Sequence, residues 1–146
     1  MSQIECPRVP VSWGELVDKI TILQIKSERI SCRNARANIG RELTSLRQAA
    51  GRAIREPALA TLLSELRAVN EELWEIEDRI REQEAAGEFG QSFVQLARSV
   101  YMKNDLRAAI KRRINDVLGS ELVEEKSYAG WASPRSAAPP TQTVAL

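Results

Sequence analysis

The chain has 146 residues, and its 21 Lys plus Arg against 20 Asp plus Glu give a formal net charge of +1. This balance excludes a strong overall attraction to nucleic acid or to an anionic membrane, and no apolar run reaches membrane-spanning length. The sequence contains no histidine, which excludes Ser-His-Asp and Cys-His nucleophiles, His-ligated zinc and the usual general base at neutral pH. We expect neither a metal nor a cofactor, and no motif assigns a catalytic residue.

Cysteine usage and the two ends of the sequence predict the compartment and the domain limits. Cys6 and Cys32 have neither metal-binding nor redox spacing. Residues 1–10 lack the apolar core of a signal peptide. We therefore expect a cytoplasmic protein with reduced thiols and a single domain over residues 1–131. Residues 132–146 are mostly Ala, Pro, Ser and Thr, a composition that predicts a disordered tail.

The first predicted helix, α1, begins after a capping box in which Ser12 is the N-cap and Glu15 follows three residues later. It extends from Trp13 to about Ile30. Its apolar residues form a main face and a second face, so we expect α1 to be covered on two sides as the central helix. The main face comprises Leu16, Ile20, Leu23 and Ile30, and the second comprises Ile22 and Ile25.

A break over residues 31–34 separates α1 from α2, which is predicted from about Ala35 to Ala50. The apolar residues of α2 recur at helical spacing, and Gly51 is positioned to end the helix. This pattern leaves two alternatives open. The second helix either continues the first with a kink or folds back against it.

The third helix, α3, is predicted from Pro57 to Ala86 and carries the strongest periodicity of the chain. Apolar residues recur at alternating steps of three and four, which requires a partner helix along the whole seam. These residues are Leu59, Leu62, Leu66, Val69, Leu73, Ile76 and Ile80. A short linker with two glycines precedes α4, predicted over residues 91–118, so we expect α4 to return antiparallel. The prediction is an all-α antiparallel bundle, a coiled-coil hairpin with three long helices and a shorter one.

Opposite charges on α3 and α4 favour this pairing. Residues 71–84 carry seven acids and two arginines, and residues 98–113 carry six bases and one acid. An antiparallel register places Lys103 near Glu72 and Arg98 near Glu77. An alternative interpretation takes the basic residues of α4 as a nucleic-acid patch, formed by Lys103, Arg107, Lys111, Arg112 and Arg113. We disfavour nucleic-acid binding because α3 offers a matching acidic surface and no aromatic residues alternate with the bases.

Two cations, Lys103 and Arg107, interrupt the apolar seam of α4, where burial of a charge is costly. In the interpretation we favour, the apolar stripe shifts to Met102 and Leu106 and leaves the cations at its edge. Alternatively, the cationic stems are buried and their heads reach acids of α3. A third interpretation is a polar pocket that binds a small anion. Its candidate residues are Lys19, Tyr101, Lys103, Asn104, Arg107 and Lys111.

Three stretches resemble a family of small bacterial proteins classed as a domain of unknown function. They are residues 11–23 (VSWGELVDKITIL), residues 96–107 (LARSVYMKNDLR) and residues 124–128 (EEKSY). The resemblance covers roughly residues 4–130 and implies a bacterial, soluble, helical protein whose relatives neighbour genes for sugar transfer and cell-surface polysaccharide. It carries no catalytic or binding residue over to this sequence.

Three functions remain in competition. The leading hypothesis is a non-enzymatic protein-interaction module, including a homodimer formed through an uncovered face of α1 or α3. The second is a small-anion site on α4, either binding or catalytic. The third, which we disfavour, is weak nucleic-acid binding. No membrane association is expected.

Overall fold

The computed structural model describes residues 4–127 and confirms the all-α prediction for this part of the chain. The predicted tail, residues 132–146, lies outside the described residues. Two helices of 17 and 18 residues precede two of 27 and 28 residues. The prediction of three long helices and a shorter one is therefore wrong in the number of long helices. The helices are α1 (Trp13–Arg29), α2 (Arg33–Ala50), α3 (Ala60–Ala86) and α4 (Gln91–Leu118). Short 3-10 turns, Ala53–Arg55 and Pro57–Leu59, join α2 to α3.

The helix ends follow the capping residues of the sequence. The Ser12 hydroxyl accepts a hydrogen bond from the Glu15 backbone N–H at 3.1 Å, which caps the start of α1. Gly87 and Gly119 end α3 and α4 in the left-handed region, with φ of 67° and 62°. Residues with a Cβ rarely adopt this conformation, so both glycines stop their helices efficiently.

The helices α3 and α4 form an antiparallel hairpin, as their sequence pattern predicts. Three polar pairs link them along their length: Gln83 with Ser92, Glu72 with Lys103, and Glu65 with Arg113. The residue number rises along one helix as it falls along the other. The predicted register of Lys103 on Glu72 is therefore confirmed, whereas Arg98 donates to the Tyr101 hydroxyl and Glu77 pairs with Arg81 of its own helix.

The first helix lies at the centre of the bundle, covered on both of its apolar faces. On one side α2 folds back against it, which resolves the alternative that the sequence left open, and their shared cluster contains Ile20, Leu23, Ile39, Leu43 and Ala50. On the other side α1 packs against the α3–α4 hairpin, where the core contains Val17, Leu59, Leu62, Leu66, Val69, Ile110 and Ile114. Trp13, in the first turn of α1, contacts both clusters.

Burial along the α3 seam decreases away from α1. Leu66 is fully buried and Leu73 is 7% exposed, whereas Ile76 and Ile80 are half-buried. On α4, Phe93, Leu96 and Val100 are also half-buried. The hairpin thus extends beyond the third helix that would complete its core.

The segments that flank the bundle expose their apolar side chains. Ile4, Val9 and Val11 precede α1 without regular structure and are 97%, 74% and 49% exposed. Both cysteines are free and exposed. Within residues 4–127, no helix combines the length and apolarity that a membrane span requires.

Candidate functional site

The start of α1 is pressed against the last turns of α4. The Gly14 N–H donates to Asn115 Oδ1 at 2.6 Å, and the Trp13 N–H donates to the Ser120 hydroxyl at 3.2 Å. A Cβ on Gly14 would lie 2.5 Å from the Lys111 backbone oxygen, closer than van der Waals contact allows. Gly14 therefore permits the close approach that brings the first turn of α1 beside Lys111.

One turn further along α1, a buried carboxylate binds a cation of α4. Asp18 is 1% exposed, and Arg107 donates to both its oxygens, from Nε to Oδ1 at 3.0 Å and from Nη2 to Oδ2 at 2.5 Å. Asn70 of α3 adds a bond to Oδ1 at 2.9 Å. The hydrogen bond to Asp18 raises the pKa of Arg107, against the opposing effect of burial. A bidentate pair with a further amide donor satisfies a buried carboxylate well.

Lys111, the next cation along α4, has its ammonium among three carboxylates. Its Nζ lies 2.6 Å from Glu15, 3.1 Å from Glu124 and 3.8 Å from Asp18. Burial lowers the pKa of Lys111, but the bonds to Glu15 and Glu124 and the charge of Asp18 outweigh it, so the pKa is raised overall. This side chain is 11% exposed and stays charged at neutral pH.

The segment after α4 completes this arrangement; we call residues 120–127 the Glu124 segment. Glu124 receives Lys111 on Oε2 and Lys126 on Oε1, each at 3.1 Å. The hydrogen bond from Lys111 is the main cause that lowers the pKa of Glu124, and the bond from Lys126 lowers it further. Its apolar side chains Leu122 and Val123 are 46% and 41% exposed. The segment therefore docks through its charges.

These groups surround an open polar cleft of about 240 Å³, which we call the α1–α4 cleft. Three cations line it together with two acids, and the buried Asp18 contacts two of those cations. Positive and negative charges are therefore equal in number around the cleft. Its lining consists of Glu15, Asn104, Arg107, Ala108, Lys111, Glu124 and Lys126.

The structure brings three of the six sequence-predicted residues to this cleft: Asn104, Arg107 and Lys111. The other three lie elsewhere. Lys103 pairs with Glu72 of α3, Lys19 pairs with Glu42 of α2 at 3.1 Å, and Tyr101 accepts a bond from Arg98. Whether the cleft binds an anion stays a prediction.

The favoured explanation for the cations in the α4 seam is wrong. Met102 and Leu106 are each 38% exposed, so the apolar stripe does not shift to them. At the end of α4, Val117 is 44% exposed, and Leu118 packs against the core. The alternative of a buried stem with its head on an acid of α3 describes Lys103. For Arg107 the acid comes from α1, because α1 covers this part of the hairpin.

The sequence analysis did not single out Asp18, Glu124 or Lys126 as site residues, and it gave Glu15 only a capping role. A signal for Asp18 was present: it falls on the second apolar face of α1, one turn from Ile22 and close in angle to Ile25. An acid on a buried face, with unpaired cations in the seam of another helix, indicates an interhelical ion pair. No comparable periodicity exists for Glu124 and Lys126, which lie outside the helices.

Each base of the proposed nucleic-acid patch has an acidic partner. Lys103 and Arg113 pair with acids of α3, Arg107 and Lys111 with acids of α1, and Arg112 with Glu125 at 3.3 Å. The bases of α4 are thus neutralised within the chain, though by three different parts of it and not by α3 alone. This arrangement further disfavours a phosphate-binding surface.

A second cavity, of about 320 Å³, lies between α1, α3 and the Ala53–Arg55 turn and is lined largely by apolar side chains. Its charged residue, Arg67, is bound by Glu28 and Glu71. In the described part of the chain, no group of three or more Cys, Asp or Glu side chains is placed to hold a metal ion. The α1–α4 cleft is therefore the better candidate for a polar ligand.

No curated protein and no solved structure matches the chain significantly. A family model does match it, over residues 7–143, and is described as a family of unknown function (DUF6165). The match extends beyond residue 130, where the resemblance in the sequence was expected to end, and includes most of the predicted tail. Because the match spans nearly the whole sequence, the chain belongs to this family.

Proposed function

We propose that the protein binds a small anionic ligand in the α1–α4 cleft. The observation that carries this proposal is the Lys111 ammonium, which is nearly buried and bound to two carboxylates that themselves reach solvent. Glu15 and Glu124 are 48% and 42% exposed. Exposed carboxylates exchange with solvent at little cost, so a ligand can replace one of them on Lys111.

The opposite side of the cleft is built to hold its shape. Arg107 is fixed by its two bonds to Asp18, and its Nη1 donates to Asn104 Oδ1 at 3.3 Å. Side chains held by buried partners present a ligand with donors already in position, which lowers the entropic cost of binding. The proposal concerns binding, since none of the described residues that line the cleft is arranged as a nucleophile activated by a base.

The choice of variant follows from these roles. Arg107→Ala would remove the main partner of a buried carboxylate and is expected to destabilise the fold, so a loss of binding in this variant would not report on the cleft alone. Lys126 is 42% exposed and contacts Glu124 alone among the contacts described for it. Lys126→Gln therefore removes a cation of the cleft with little effect on the fold, and Arg112→Gln, at an exposed pair outside the cleft, is the matched control.

The test is a thermal-shift screen of carboxylic acids, sugar acids and sugar phosphates at constant ionic strength. A ligand that binds the folded chain raises Tm in proportion to the logarithm of its concentration. We expect at least one compound to raise Tm in the unmutated protein and in Arg112→Gln, and to have a weaker effect on Lys126→Gln. No shift with any compound, or equal shifts in both variants, would contradict the proposal.

A second candidate function is self-association through α4. The exposed large apolar residues of the four helices lie on α4 and not on α1 or α3, where the sequence analysis expected the uncovered face; they are Val94, Tyr101, Met102, Leu106 and Val117. Arg98 and Asp116 lie about five turns apart and thus on one side of α4. Two antiparallel copies of α4 would bring Arg98 of each to Asp116 of the partner subunit, around a row of apolar contacts.

Sedimentation equilibrium tests this second candidate. Leu106→Glu should shift a dimer toward monomer, whereas Ala37→Glu, on the exposed surface of α2, should leave it unchanged. A strict monomer at all concentrations would contradict self-association.

The bacterial origin, the cytoplasmic location and the link to polysaccharide or sugar transfer remain predictions. The last of these is the reason for including sugar acids and sugar phosphates in the screen.

A further inference from the structure

Glu124 is bound in the cleft in the way that a carboxylate ligand would be. Its two oxygens take separate ammonium groups, Oε2 that of Lys111 and Oε1 that of Lys126, each at 3.1 Å. A planar group with two equivalent oxygens fits between two such donors. Lys111 is nearly buried, so one side of this clamp is fixed, whereas the partly exposed Lys126 is adjustable. We call Lys111 and Lys126 the carboxylate clamp.

The Glu124 segment is held by contacts that can be released without disturbing the helices. It has no helix or strand, and residues 121–127 are exposed. Apart from the clamp, the contacts described for it are the Glu125 pair with Arg112, the Ser120 N–H, which donates to the Asn115 carbonyl, and the Ser120 hydroxyl, which accepts from the Trp13 N–H and donates to the Leu122 carbonyl. Exposed ion pairs contribute little free energy each, so departure of Glu124 costs the fold little.

The charges around the cleft indicate which ligand can replace Glu124. With its carboxylate withdrawn, three cations face two carboxylates: Arg107, Lys111 and Lys126 against Glu15 and Asp18. One positive charge is left. A ligand with a single carboxylate restores neutrality, whereas a phosphate group, with a charge near −2 at neutral pH, exceeds it and is repelled by Glu15.

We propose that the ligand of the α1–α4 cleft is a small monocarboxylate, an inference that rests on the proposed function. Glu124 is then a built-in competitor of this ligand and leaves the carboxylate clamp when the ligand binds. The rest of the lining extends this ligand class. Glu15 accepts hydrogen bonds and Asn104 offers an amide, so hydroxyl or ammonium groups beside the ligand carboxylate find partners there. A hydroxy acid or an amino acid therefore fits better than a simple fatty acid.

The experiment is an NMR titration of the full chain that follows the side-chain signals of Lys111 and Lys126. Acetate is the monocarboxylate probe, inorganic phosphate is the competing anion, and sodium chloride holds the ionic strength constant. Glu124→Gln removes the charge of the competitor while keeping its size. Glu121→Gln, an equal change of charge in the same segment but outside the cleft, is the matched control.

We expect acetate to shift both lysine signals, with a midpoint about three- to tenfold lower in Glu124→Gln than in the unmutated protein, because acetate no longer has to displace a charged carboxylate that is itself 42% exposed. Glu121→Gln should match the unmutated protein, and phosphate should require higher concentrations than acetate. Equal acetate midpoints in Glu124→Gln and the unmutated protein would overturn the role of Glu124 as a competitor. Tighter binding of phosphate than of acetate would overturn the assignment of the ligand as a monocarboxylate. Either result leaves the proposed function standing if a screened compound still raises Tm in a Lys126-dependent manner. Loss of that effect as well would overturn both.

Discussion

The α3–α4 hairpin has two regions that share one sequence pattern and differ in structure. Near α1, the seam is buried and its cation binds a buried acid, as Leu66 and the Arg107–Asp18 pair show. Towards the linker to α4, the same pattern is half-buried, and Ile80 is partly open to solvent. Lys103 and Arg107, adjacent seam positions on α4, differ in the same way in the burial of their acidic partners. Lys103 pairs with the half-exposed Glu72, and Arg107 with the buried Asp18.

The difference shows that a third helix, and not the seam itself, determines what the seam positions can contain. Where the α1 side chain that meets a seam cation is itself buried, as Asp18 is at 1% exposed, the pair is costly to break. One turn away on α4, the acid comes from α3 and is half-exposed, so Lys103 has only a surface partner.

Arg107→Ala should destabilise the fold by about 4 kcal/mol, because it leaves the Asp18 carboxylate buried without its main partner. Lys103→Ala, the matched change one turn away, should cost under about 1 kcal/mol, because its pair with Glu72 is partly solvated. Urea denaturation measures both free energies of unfolding. Similar losses in the two variants would remove the distinction between the regions.

Leu66→Ala should lower the free energy of unfolding by about 3 kcal/mol, since it leaves a cavity in a fully buried part of the core. Ile80→Ala, on the same seam beyond α1, should cost about 1 kcal/mol because less of its surface is removed from water. The measurement is again urea denaturation at one temperature. A loss for Ile80→Ala as large as that for Leu66→Ala would indicate that the far end of the hairpin is buried in solution, for example by another copy of the chain.

Gly14→Ala should lower the free energy of unfolding by about 2 kcal/mol, because the added Cβ would force α1 away from the Lys111 carbonyl and disturb the packing of α1 on α4. Gly40→Ala is the control: its Cβ meets open space on α2, so replacing glycine within a helix should stabilise by about 0.5–1 kcal/mol. Thermal unfolding reports both. A higher Tm for Gly14→Ala would show that α1 and α4 are further apart than described.

The smallest effect is the pH dependence contributed by Glu124. Its pKa is lowered in the folded chain, so its stabilising contribution is present above the ordinary pKa of glutamate and is lost as the pH falls through the lowered value. The free energy of unfolding of the unmutated protein should exceed that of Glu124→Gln by under about 1 kcal/mol at neutral pH. The difference should vanish in acid. A difference that grows as the pH falls has the wrong sign for a carboxylate bound to two lysines.

Most of the fold could be predicted because it depends on local signals. The α3 seam, the glycines at residues 87 and 119 and the Ser12 cap determine helix limits within a few residues, and the short linker determines the antiparallel return of α4. The direction of α2 could not be predicted, because the break at residues 31–34 is compatible with a kink or a reversal. It was determined by packing, since the apolar face of α2 is buried only when it folds back on α1.

The candidate site was only partly predictable, for a related reason. The unusual cations of α4 were recognisable as charges at apolar positions, so Arg107 and Lys111 could be named from the sequence. Their partners could not be assigned before the position of α1 was known, because Asp18 is separated from Arg107 by 89 residues. Glu124 belongs to a segment without helical periodicity, so the sequence pattern does not predict which residues its side chain contacts.

A double-mutant cycle compares the two regions most directly. It measures the coupling free energy between Asp18 and Arg107 and, in parallel, that between Glu72 and Lys103, by alanine replacement of each residue alone and of both together. We expect a coupling of about 2–3 kcal/mol for Asp18 and Arg107, whose acid is buried, and under about 1 kcal/mol for Glu72 and Lys103, whose acid is half-exposed. Equal couplings, or a stronger one for Glu72 and Lys103, would contradict the conclusion that the buried acid of α1 gives Arg107 a structural role.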